Sequence, residues 1–194
     1  MENPVSLRAT PQQASHNRNL AIRFAGFGGQ GVVKAGEILG MAAVAEGQRA
    51  LQNQSYGSSA RGGLCTADVT LGPDEIFEIE PDLFDVLVLL SQDSCSAFLR
   101  QLREGGTLIY DQDLVPLPAD LAIRAHGIPA TKIAAEELGR KVVTNMVVLG
   151  YCAAVTTLLP RPAIEKAIVA NVPKGTEDLN LRAFAAGFVH HRAG

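Results

Sequence analysis

The sequence predicts an α/β fold: a Rossmann-like, mostly parallel sheet with helices on both faces, a short antiparallel addition and a helical C-terminus. Short apolar runs at 20–25, 85–91 and 106–111 read as strands buried on both faces. Helix-spaced apolar positions follow the first two of these runs, so strand and helix alternate. A length of 194 residues supplies one sizeable core and not two.

Residues 1–19 are polar, contain Pro4 and Pro11 and lack periodicity; they read as a flexible N-terminal tail or a partner-binding arm, leaving 20–194 as a single domain. After the strand LAIRFA, the positions Val32, Ala35, Leu39, Ala42 and Ala43 recur at helical steps, predicting a helix from Gly31 to about Glu46. Gly47 ends it, and 49–54 forms the next strand. The sequence LCTADVTL at 64–71 alternates like a half-exposed strand, GPD at 72–74 is turn chemistry, and EIFEI at 75–79 is a further extended piece, so 64–79 reads as a hairpin or edge addition. DVLVLLS at 85–91 is apolar almost throughout and reads as central. Residues 93–103 read as a helix broken at 104–106, before the strand GTLIYD. One more strand at 121–128 precedes a proline-started helix, and helices at about 143–158, 161–170 and 177–190 close the chain.

Composition narrows the functions. A formal charge of −3 gives no electrostatic reason to bind nucleic acid or an anionic membrane, and 5% aromatics without tryptophan offers no base-stacking surface. Cys65, Cys95 and Cys152 are scattered without a C-x-x-C pair, which argues against a metal or iron–sulfur cluster held by this chain alone and fits a reducing cytoplasm. The N-terminus lacks an apolar signal region and no apolar run is long enough to span a membrane, so the expected location is cytoplasmic.

GFGGQGVV at 26–33 satisfies G-x-G-x-x-G through Gly26, Gly28 and Gly31. Between a buried strand and a helix, such glycines let the backbone approach a ligand while free N–H groups attract an anion. A dinucleotide site also needs an acid near the tip of the second strand, and here Leu51, Gln52 and Asn53 stand there. NAD is thereby weakened, although Asn53 or Gln52 offers a substitute. No Lys-Ser or Lys-Thr follows, so the Walker pattern fails as well. A plain tight turn remains the competing reading.

Arg61, in SSARGG, suits a phosphate or carboxylate clamp, or is simply a solvated loop arginine. Asn145 opens a long apolar helix and suits either a ligand contact or the satisfaction of helix-end donors. Gly150 within that helix suggests close packing against a neighbour. Lys34 is a candidate for neutralising an anion at the first loop, though a solvated helix lysine is the plainer reading. His190 and His191 are adjacent and point in different directions on a helix, a poor ligand pair. No catalytic constellation assembles from these residue types, so neither catalytic nor metal residues are assigned.

Taken in order, GFGGQGVVKAGEILGMAAVAEG, QSYGSSARGG, DVLVLLSQ, REGGTLIYD and TNMVVLG resemble the gamma subunit of the 2-oxoacid:ferredoxin oxidoreductases. The resemblance runs from about Ala21 to Leu149, and the pairing of G-x-G-G-Q-G with a Tyr-Gly-x-x-x-Arg-Gly-Gly loop is its specific part. It implies a non-catalytic subunit of an enzyme that oxidatively decarboxylates a 2-oxoacid to an acyl-CoA. Thiamine diphosphate with magnesium and the iron–sulfur clusters would lie on partners: alpha and beta subunits, an iron–sulfur subunit of delta type and, where NAD is the acceptor, a flavin subunit. The resemblance further implies a coenzyme A-positioning role for Gly26, Gly28, Gly29, Gln30, Gly31, Val32 and Arg61. Where family members commonly carry Gly-Pro-Glu, this loop reads Gly57-Ser58-Ser59-Ala60 before Arg61, which leaves the identity of the 2-oxoacid open. The competing expectation is a stand-alone NAD(P)-binding oxidoreductase or a nucleotide-binding regulator.

Overall fold

The computed structural model describes residues 18–57, 63–118 and 121–193. Six strands form one sheet: β1 (Leu20–Phe27), β2 (Arg49–Tyr56), β3 (Leu64–Gly72), β4 (Phe84–Leu89), β5 (Leu102–Asp111) and β6 (Arg124–Ile128), in the spatial order β2-β3-β1-β4-β5-β6. β1, β4, β5 and β6 run parallel to one another, while β3 is antiparallel to both β1 and β2. The helices are α1 (Val32–Ala45), α2 (Gln92–Phe98), α3 (Ala130–Lys132, continuing into a π-helical turn at Ile133–Glu137), α4 (Thr144–Thr156), α5 (Arg161–Asn171) and α6 (Glu177–Ala193). The expected tail lies outside the described residues up to 17; Arg18 and Asn19 are tied to the body through Asp85 and the Asp74–Glu75 backbone.

Strand alternation divides the core into two layers. On one face Ile22, Phe24, Val69, Val86 and Val88 pack under α1, α4, α5 and α6. On the other, Ala21, Ala25, Leu87 and Leu89 meet a smaller cluster containing Cys95 of α2 and Val115. Helices therefore cover both faces, unequally.

Four local expectations change. β3 is interior to the sheet and buried along nearly its whole length, because the alternate polar set Thr66, Asp68 and Thr70 is enclosed as fully as the apolar one. Residues 75–79 carry no strand. The glycines at 105 and 106 lie inside β5: Gly105 takes φ 73°, and the pairing of β4 with β5 shifts register between Phe84 and Val86, so the predicted break is a bulge. The helix before it ends earlier than expected, in a 3₁₀ turn at Leu99–Gln101.

α4 and α6 approach through a pair of glycines. A β-carbon at Gly150 would press into the carbonyl oxygen of Phe184 and stand 2.8 Å from its carbonyl carbon; one at Gly187 would do the same to Val147. Gly150 is thus a packing residue, as its position in the sequence suggests.

Candidate functional site

The glycine-rich segment joins the C-terminal end of β1 to the start of α1. Gln30 shapes it: its Oε1 accepts from the Phe27 N–H at 2.6 Å and its Nε2 donates to the Leu90 carbonyl at 3.0 Å, bracing the loop against the end of β4. A β-carbon at Gly26 would meet Gln30 Oε1, so a larger residue there would have to displace the side chain that braces the loop. Gly31 caps α1 in the left-handed conformation, φ 74°, and no side chain satisfies the first-turn donors. An α-helix leaves its first N–H groups without intrahelical partners, and helix ends of this kind favour anions.

The loop is held from two distant parts of the chain. Asn145, buried in the first turn of α4, donates from Nδ2 to the Gly31 carbonyl at 3.2 Å, while its Oδ1 accepts from Met146 N–H at 3.0 Å. Gly28 N–H donates to the Gly63 carbonyl at 3.1 Å, and Gly57 N–H donates to the Leu64 carbonyl at 2.6 Å. The first bond ties the two glycine-rich segments together, and the second joins the end of β2 to the start of β3. Arg61 lies outside the described residues.

The remaining candidates separate by exposure. Gly28 and Gly29 are exposed and Gln30 partly so; Gly26 and Val32 are buried, so they can offer backbone only. Gly29 takes φ 93°, and a β-carbon there meets nothing within 4 Å, whereas one at Gly31 would stand 2.5 Å from Asn145 Nδ2. Gly29 faces the space in front of the loop; Gly31 faces the protein. Lys34 is paired with Glu37 at 2.6 Å on the helix surface. β2 runs on to Tyr56, so Gln52 and Asn53 lie within the strand and not at its tip, where they donate to the Val33 carbonyl and to Glu80; neither stands where the ribose-binding acid of a dinucleotide site would.

Metal-ligand chemistry finds little support among the described residues, where no group of His, Cys, Asp or Glu is arranged to hold a metal ion. All three cysteines are buried and free, and burial pushes the Cys152 thiol up to about 12, well away from a thiolate. His190 and His191 instead stack edge-on against Tyr151 at 5.9 and 5.7 Å, with His126 6.0 Å from His191. Tyr151 Oη donates to the Gly127 carbonyl at 3.1 Å, so this cluster joins α4 and α6 to β6.

Burial, then His191 and Arg124, push the His126 pKa below its ordinary 6.5. The unfolded chain then takes up a proton more readily than the folded one, and stability falls as pH drops through the ordinary histidine range. Thermal unfolding should show a melting temperature that declines between about pH 7 and pH 5. His126→Gln should flatten that slope; an unchanged slope would remove His126 as its source.

The family described as pyruvate ferredoxin/flavodoxin oxidoreductase matches residues 21–189, nearly the entire described body. The chain belongs to that family. Within it, the 2-oxoglutarate synthase subunit KorC of Methanocaldococcus jannaschii is 40% identical over 170 residues, spanning 86% of this chain and 91% of that protein. The keto/oxoacid ferredoxin oxidoreductase gamma subunit of Geobacter sulfurreducens superposes with a TM-score of 0.81 at 33% identity, covering 91% of this chain and 98% of that one. The 2-oxoglutarate:ferredoxin oxidoreductase of Magnetococcus marinus, solved with 2-oxoglutarate, coenzyme A and succinyl-CoA bound, shares the fold at a TM-score of 0.81 and 21% identity, over 92% of this chain and 32% of that one. Relatives of this oxidoreductase family are thus subunits of 2-oxoacid oxidoreductases, and the stand-alone NAD(P) enzyme is not favoured.

Proposed function

We propose that this chain is the gamma-type subunit of a thiamine diphosphate-dependent 2-oxoacid:ferredoxin oxidoreductase, acting on 2-oxoglutarate, and that its glycine loop positions coenzyme A. The observation that carries the second half is the N-terminus of α1, which has no side-chain cap and is preceded by exposed Gly28 and Gly29. Backbone N–H groups there suit a phosphate, and the absence of side chains lets it come close. The relatives support 2-oxoglutarate as the oxoacid.

In this reading the chain does no bond-breaking. The partner alpha and beta subunits hold thiamine diphosphate and magnesium, which supply the decarboxylation, and a delta-type subunit holds the clusters that carry electrons away. The role of this chain is to hold the thioester-forming end of coenzyme A at a fixed distance from that chemistry. Gln30 and Asn145 serve as positioning residues, since their hydrogen bonds tie the loop to Leu90 at the end of β4 and to α4.

Co-expression with the partner subunits should yield a brown, thiamine-dependent complex reducing ferredoxin with 2-oxoglutarate and coenzyme A. A chain that purifies alone and binds NAD in a calorimeter would sink the proposal. Gly29→Asn tests the loop, because asparagine tolerates a positive φ and its side chain enters open space. In the intact complex it should raise the KM for coenzyme A about tenfold, the loss of roughly one hydrogen bond to a charged group, with little change in that for the oxoacid. Equal coenzyme A dependence in both complexes would take the loop out of the site.

A further inference from the structure

The segment joining β3 to β4, residues 73–83, exposes more apolar surface than its length requires. Phe77 is 84% exposed, the largest value for a large apolar side chain among the described residues, and Ile79 and Leu83 are 60% and 42% exposed. Asp74, Glu75, Glu78, Glu80 and Asp82 stand among them, and the segment contains no basic residue.

This is not a loose excursion. Asn19 donates from Nδ2 to the carbonyls of Asp74 and Glu75 at 3.3 and 3.1 Å, and its Oδ1 accepts from Asp74 N–H at 3.1 Å. Further along, Asn53 donates to Glu80 Oε1 at 3.2 Å and Pro81 is buried. Arg49 of β2 lies 3.6 Å from Glu75. The segment is pinned at both ends along the outer strand of the sheet, and its half-buried Ile76 is the one apolar side chain turned inward between those pins. A fixed, exposed aromatic flanked by a fixed aliphatic residue has the character of an interface anchor.

We infer that residues 73–83 form a docking ridge for another subunit of the oxidoreductase complex, one presenting an apolar socket rimmed by lysine or arginine. The inference rests on the gamma-subunit reading above. Charge complementarity selects the partner: the ridge carries five carboxylates, and among the described residues only Glu75 is paired with a basic side chain, Arg49, so the surplus calls for a basic rim, which also steers association. A second copy of this chain is disfavoured, since a two-fold contact through this ridge would set the same acidic surface against itself.

A photo-crosslinking residue placed at position 77 in the assembled complex should join this chain to a different subunit. The pair Phe77→Ser and Ile79→Ser should weaken assembly roughly thirtyfold while leaving the melting temperature of the isolated chain unchanged. The pair Glu78→Lys and Asp82→Lys should slow assembly and remove most of its salt dependence. Cross-linking to a second copy of this chain, or normal assembly of the serine variant, overturns the ridge and leaves the subunit reading standing. Failure of the wild-type chain to assemble with the other subunits overturns that reading and the ridge with it.

Discussion

Gly150→Ala is expected to destabilise the chain by about 3 kcal/mol, against a helix propensity that alone would stabilise it by about 1 kcal/mol. The two effects have opposite signs, which makes the measurement decisive. The new methyl would enter the space of the Phe184 carbonyl and come within 3.0 Å of Phe188 N, both backbone groups of α6 that cannot turn aside like a side chain. Relief requires moving one helix away from the other. α4 carries Asn145, so separation also loosens the hydrogen bond to the Gly31 carbonyl. Thermal unfolding gives the first effect, and the KM for coenzyme A in the complex reports the second. Gly187→Ala should behave alike, and the double variant should cost less than the sum, because one separation relieves both collisions. A stabilised Gly150→Ala chain would show that the helices are not pinned there.

What the sequence made legible was local. The turn from β1 into α1, the central position of β4 and the three closing helices follow from periodicity and from where glycine and proline stand. Gly150 was readable too, because glycine inside a long apolar helix sacrifices helix propensity, and a close-packed neighbouring backbone is what makes that loss worthwhile. The interior place of β3 was not readable. Alternating Thr66, Asp68 and Thr70 look like a solvent face, and it is Arg23, from another strand, that makes the burial of Asp68 tolerable. The bulge in β5 was hidden for a related reason: Glu104-Gly105-Gly106 is turn chemistry taken alone, and pairing with β4 absorbs it into a strand. The site divides the same way. Its glycines announced themselves, while the bonds from Asn145 and Gly63 to the loop join residues far apart in the chain, and no local pattern encodes them.

The buried charge on β3 leads to the second large effect. Asp68→Ala should cost about 3–5 kcal/mol, because it leaves the Arg23 guanidinium enclosed without its counter-ion. Arg23 donates from Nε and Nη2 to the two Asp68 oxygens at 2.7 and 2.6 Å and from Nη1 to Gln101 Oε1. Its guanidinium carbon lies 4.3 Å from the Phe84 ring centre and 4.8 Å from that of Phe98. The two side chains are only 12% and 7% exposed, so solvent screens little of the loss. At roughly 2–4 °C per kcal/mol for a chain of this size, the melting temperature should fall by about 10 °C. The double variant Arg23→Met with Asp68→Leu should recover most of that, since an apolar pair of similar volume avoids the desolvation of both charges. If it is as stable as wild type, the ion pair adds no net stability, and its value lies in register. β1 and β3 align Arg23 with Asp68, and a slip by one residue would bury each charge against an apolar neighbour. An Asp68→Ala chain within about 1 kcal/mol of wild type would mean that the guanidinium finds water, contrary to its enclosure between the two phenylalanine rings.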